Sequence, residues 1–94
     1  MKKTIKLTME ENLYLLANNL VTIEIDNVFI QIYYSSIYEK ITLEYWNVLQ
    51  QKFIPVESDK LFYIELYKGQ SRCDNPVYQA INSYNDNLDN KGKN

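Results

Sequence analysis

Histidine is absent from the 94-residue chain, cysteine occurs once, and glycine and proline occur twice each. Without imidazole, neither a Ser-His-Asp nor a Cys-His arrangement can be assembled and no histidine can hold a metal. The side chain that ordinarily titrates near neutrality is also missing. Cys73 has no second thiol to pair with, which excludes an intrachain disulfide, a Cys-x-x-Cys redox pair and a thiolate zinc cage. Gly69 and Gly92 cannot furnish a phosphate-cradling loop, and neither G-x-x-x-x-G-K-S/T nor G-x-G-x-x-G occurs. Long apolar runs are missing too. Thr4, Lys6, Thr8, Glu10 and Glu11 interrupt the stretch after Lys2-Lys3, so neither a signal peptide nor a membrane helix is expected. The unpaired cysteine agrees with a cytoplasmic setting. Catalysis by carboxylates alone needs two placed acids. No such pair stands out, and the expectation is a non-enzymatic protein with no cofactor and no metal.

What remains is ordinary material for a small fold. Hydrophobic residues make up 46% and charged residues 23%, enough for one globular domain but not for a larger enzyme. The formal charge is −2, so there is no basic excess to attract a polyanion. Nine lysines against one arginine, with eleven asparagines and ten isoleucines, point to AT-rich coding and hence to a low-GC bacterium, its phage or a mobile element.

Ile5 and Leu7 alternate with polar neighbours as in a short strand. Thr8-Met9-Glu10-Glu11 spells a capping box, and Met9, Leu13, Leu16, Ala17 and Leu20 follow at helical spacing up to a stop at Asn18-Asn19. Residues 21–26 and 28–34 each alternate, and Asp26-Asn27 between them tolerates the positive φ of a two-residue hairpin turn. Ile25 and Val28 then face each other, which puts both apolar sets on one side. A second helix is expected before Pro55, capped by Ser36 or by Thr42, with Tyr45, Val48, Leu49 and Phe53 as its stripe. Residues 61–67 read as a strand with Phe62, Ile64 and Leu66 inward. Asn75-Pro76 opens a last helix with the stripe Val77, Ala80, Ile81, Tyr84 and Leu88.

This order, β-α-β-β-α-β followed by a helix, predicts an α+β fold of the ferredoxin-like, split βαβ type. It would have a four-stranded antiparallel sheet and a C-terminal helix, with residues 1–88 as one domain and 89–94 as a disordered tail. Placing the aliphatic residues inward turns Phe29, Tyr33, Tyr63 and Tyr67 outward, with Glu24, Asp26 and Glu65 beside them. Three uses of that face compete. The last helix can bury its stripe there, a protein partner can dock, or single-stranded nucleic acid can stack on the aromatics.

The strand order is similar to that of RNA recognition motifs, which stack bases on their central strands. Here the first strand has no aromatic, the third lacks that family's glycines and basic residue, and three carboxylates would repel phosphate. A protein partner with a basic surface is therefore expected in preference to nucleic acid, and homodimerisation would draw on the same features. The expected functional type is an inhibitor or modulator of a host nucleic-acid-handling enzyme, of the kind anti-CRISPR proteins exemplify. Its binding residues would be Glu24, Asp26, Phe29, Tyr33, Tyr63, Glu65 and Tyr67. Trp46, beside rather than on the expected helical stripe, is a further candidate anchor. Cys73 next to Arg72 is a candidate activated thiol.

Overall fold

Local signals shape the first half of the chain in the computed structural model, which describes residues 3–68 and 74–91. The capping box forms as spelled: Thr8 Oγ1 accepts the Glu11 N–H at 3.2 Å, and Glu11 Oε1 accepts the Thr8 N–H at 2.9 Å. Helix α1 (Met9–Asn18) follows, and Asn19 ends it in the left-handed region at φ 60°. The chain then enters strand β2 (Leu20–Ile25) directly. Asp26 and Asn27 take φ of 52° and 66°, a two-residue turn that sets Ile25 opposite Val28 and returns the chain as β3 (Val28–Ser35).

The helix expected ahead of Pro55 does not form. Residues in that segment build β4 (Lys40–Asn47) and β5 (Lys52–Pro55), extending β2 and β3 into a four-stranded antiparallel meander of order β2-β3-β4-β5. Ile41, Leu43 and Tyr45 alternate toward the core, a period-two pattern that outweighs the helical spacing of Tyr45, Val48, Leu49 and Phe53. A single helical turn survives, where the Gln51 N–H reaches the Asn47 carbonyl at 2.7 Å. Asn47 Oδ1 also accepts the Gln50 N–H at 2.9 Å, and Gln51 closes the turn at φ 53°. Val48 and Leu49, expected in the core, lie on this turn 75% and 95% exposed.

The two remaining strands stand apart from the meander. β1 (Thr4–Lys6) pairs in parallel with β6 (Tyr63–Glu65), Ile5 opposite Ile64. A 3-10 turn (Ser58–Lys60) precedes β6. The fold is thus α+β with a four-stranded antiparallel sheet and a C-terminal helix, but its order is not ferredoxin-like. The fourth strand of the large sheet comes from residues 52–55, and the strand expected in that place pairs with β1 in a separate sheet.

Helix α2 (Pro76–Lys91) begins where Asn75 Oδ1 accepts the Val77 N–H at 2.9 Å. It runs through the start of the expected tail, while residues 92–94 lie outside the described residues. Val77, Ala80, Ile81, Tyr84 and Leu88 are buried in one cluster with Ile5, Leu7, Leu15, Val21, Ile23, Ile30, Ile32, Leu43 and Ile64. Both helices and the β1–β6 pair therefore share the aliphatic face of the meander. Leu13 and Val28, expected inside, are exposed.

Candidate interaction face

Because both helices pack on the aliphatic side, the opposite side of the meander carries no helix among the described residues. Its residues follow from register. Glu24 lies opposite Phe29, and Trp46 lies opposite Phe53. The pairing of Ile30 with Tyr45, extended by one residue, sets Phe29 beside Trp46. One row across four strands thus reads Glu24, Phe29, Trp46, Phe53. The next reads Thr22, Gln31, Glu44, Pro55, and the third Leu20, Tyr33, Thr42. Phe29 is 50% exposed, Tyr33 44% and Trp46 37%. Trp46 and Phe53 pack edge to face, their ring centroids 5.3 Å apart and their planes at 69°.

Of the residues expected to bind a partner, Glu24, Phe29 and Tyr33 share this face. Asp26 sits in the turn at its end, where Lys3 Nζ meets its Oδ2 at 3.2 Å. Tyr63, Glu65 and Tyr67 are elsewhere, on β6 and just after it. Tyr63 donates its hydroxyl to Asp89 of α2, and this hydrogen bond to a carboxylate raises the phenol pKa above its ordinary value. Glu65 reaches Lys6 at 4.0 Å, and Tyr67 is exposed. Cys73 and Arg72 lie outside the described residues.

Trp46, expected only as a further anchor beside a helical stripe, belongs to this face, together with Phe53 and Glu44, neither of them expected to bind a partner. For Glu44 and Trp46 the signal is the alternation Ile41-Thr42-Leu43-Glu44-Tyr45-Trp46, which sends Thr42, Glu44 and Trp46 to the side opposite the core, whereas Phe53 joins them only through its pairing with Trp46. Neither Glu24 nor Glu44 has an ion pair or side-chain hydrogen bond among the described residues. On the same face, Lys40 is two positions along β4 from Thr42 and so lies diagonal to Tyr33, but it is six positions from Trp46, about 20 Å at strand rise.

A second surface feature lies on the aliphatic side. An open recess of about 330 Å³ is lined by Ile25, Val28, Ile30, Tyr45, Val56 and Phe62, with Asp26, Glu57 and Lys60 at its rim. Glu57 is paired with Lys60 at 3.6 Å and Asp26 with Lys3, so no free acid–base couple points into it. Among the described residues, no group of three or more His, Cys, Asp or Glu is placed to hold a metal. No helix among them is long and apolar enough to cross a membrane. Compared with known proteins, the chain matches no family model, no curated protein and no solved structure.

Proposed function

We propose that this protein is a non-enzymatic, protein-binding modulator that engages its partner through the uncovered face of the meander. The observation that carries the reading is the position of α2. The helix buries its stripe on the aliphatic side and leaves Phe29, Tyr33 and Trp46 in solvent. Exposing aromatics together on a flat sheet face costs solubility, and such patches mark interaction sites. Tyrosine and tryptophan give large contact area at low entropy cost. Glu24 and Glu44 on the same face favour a partner with a basic surface. Nucleic acid fits less well, since the carboxylates of Glu24 and Glu44 oppose phosphate.

The finer reading is an inhibitor of a host nucleic-acid-handling enzyme, encoded by a phage or mobile element and acting in the cytoplasm. Its support is the AT-rich composition and an acidic surface able to meet arginines and lysines that otherwise hold phosphate.

The test is a tagged pull-down from a low-GC bacterial lysate, with and without nuclease, comparing the wild type with Phe29→Ala/Tyr33→Ala. Both side chains are about half exposed, and circular dichroism with urea unfolding checks that the variant keeps its fold. A stoichiometric, nuclease-resistant protein that the wild type retains and the variant loses supports the reading. Equal retention by the variant removes this face from consideration, and capture that vanishes with nuclease replaces the protein partner by nucleic acid.

A further inference from the structure

We propose that the face recognises arginine, with a guanidinium of the partner stacked on Trp46 and held at its edges by Glu44 and Glu24. This rests on the protein-binding reading above and names the chemistry that the partner presents.

Trp46 is the best cation–π acceptor available, and a cation must lie within about 6 Å of the ring centroid to feel it. Phe29 and Phe53 flank it across the neighbouring strands, and Phe53 is seated edge to face against it. Together they make a floor of rings rather than a single exposed side chain. Glu44 is two residues along β4 on the same side, about 7 Å away at strand rise, and Glu24 is two strands over, about 10 Å. An arginine side chain spans such separations.

Neither carboxylate has an ion pair or side-chain hydrogen bond among the described residues. An incoming cation therefore displaces no existing ion pair. Arginine suits the site better than lysine. Its guanidinium is planar and weakly hydrated, so it can lie flat on the indole while its N–H groups point outward in the ring plane toward carboxylates. An ammonium is a compact, strongly hydrated charge that costs more to desolvate against the ring and lacks the planar fork that meets a carboxylate in the ring plane.

Trp46 is the single tryptophan of the chain, so its emission reports on this site alone. The experiment titrates the full-length protein with an oligo-arginine peptide and with an oligo-lysine peptide of equal length. It then repeats the arginine titration on Glu24→Gln/Glu44→Gln and on a charge-matched control, Glu10→Gln/Asp59→Asn. The expected result is a saturable change in Trp46 emission with oligo-arginine, with affinity for oligo-lysine lower by about tenfold. Glu24→Gln/Glu44→Gln should lose about as much, and the control pair should match the wild type.

Equal affinity for the two peptides, or equal weakening by the control pair, reduces the effect to net charge and overturns the inference. An unresponsive Trp46 does the same. If the arginine test fails while Phe29→Ala/Tyr33→Ala still abolishes capture of a protein, the face binds a partner by other contacts. If capture survives that variant, the protein-binding reading itself falls.

Discussion

Asn85 holds Ile64 by both of its backbone groups: Oδ1 accepts the Ile64 N–H at 3.0 Å, and Nδ2 donates to the Ile64 carbonyl at 2.8 Å. In a parallel pair, alternate residues of β6 point their backbone groups toward β1, and those of Ile64 point the other way. The Asn85 amide stands where a further strand would be. It thereby closes a two-stranded sheet that would otherwise present an open edge, and it ties α2 to the strand that leads into it. Asn85→Ala removes two hydrogen bonds from part-buried groups and should cost about 2 kcal/mol. Urea unfolding measures the loss, and the Ile64 amide should exchange faster than the amides of the meander. A loss confined to a few tenths of a kcal/mol would mean that water replaces the amide.

Trp46 and Phe53 make a second prediction, on the interaction face. Their edge-to-face contact spans β4 and the short edge strand β5. An aromatic pair of this kind adds about 0.5–1.5 kcal/mol beyond area burial. Phe53→Ala should therefore destabilise by at least that amount, and Phe53→Leu by less. Removal of the neighbouring ring wets the indole, so the Trp46 emission maximum should move to longer wavelength in Phe53→Ala. An unchanged maximum would show that Phe53 does not shield it.

Where the sequence was legible, the signal was short in range. The Thr8–Glu11 box, the Asp26-Asn27 turn and the Asn75-Pro76 helix start each depend on residues within four positions, and each formed as spelled. The stripe of α2 was legible for the same reason. The segment around residues 41–53 carried two periods at once. Ile41, Leu43 and Tyr45 fit a strand, and Tyr45, Val48, Leu49 and Phe53 fit a helix. β-branched Ile41 and Thr42, and the turn-forming side chain of Asn47, favour the strands.

That reassignment changed the site. With β5 taking the place beside β4, the strand bearing Tyr63 and Glu65 paired with β1, and three of the seven expected binding residues, Tyr63, Glu65 and Tyr67, left the aromatic face. The parallel pairing of Ile5 with Ile64 joins residues far apart in sequence, and no local pattern announces such a contact. The parity of residues 21–34 was local, which is why Glu24, Phe29 and Tyr33 were found together on the face.

Asn12 and Tyr78 supply a third prediction, at the joint between the helices. Asn12 is fully buried; its Nδ2 donates to the Tyr78 hydroxyl at 3.0 Å, and its Oδ1 has no partner among the described residues. Tyr78→Phe would leave the amide with no partner and should cost about 1–3 kcal/mol. Replacing both with apolar groups, Asn12→Leu/Tyr78→Phe, removes the buried polar pair together and should recover most of that loss. A double-mutant cycle by urea unfolding measures the coupling. A double variant as unstable as the sum of the singles would mean that shape, and not polarity, fixes the joint.

Tyr84 gives a pH-dependent prediction. Its hydroxyl donates to the Phe62 carbonyl at 2.5 Å, and burial pushes its phenol pKa well above the ordinary 10.0. In the unfolded chain Tyr84 ionises near that ordinary value, while the folded protein keeps the proton. Above pH 10 the unfolded state therefore binds fewer protons than the folded one, and stability falls as pH rises. The contribution is complete below pH 10 and declines by up to about 1.4 kcal/mol per pH unit between the unfolded and folded values. Tyr84→Phe cannot ionise, so it lacks this decline, although it loses a hydrogen bond of about 1 kcal/mol at neutral pH. Denaturant unfolding of the two proteins should show the wild type more stable at neutral pH and the difference shrinking above about pH 10. Tyr63 and the other ionisable groups are the same in both proteins and cancel in the comparison. A difference that stays constant through the alkaline range would mean that water reaches the Tyr84 hydroxyl and that the folded protein does not hold its proton.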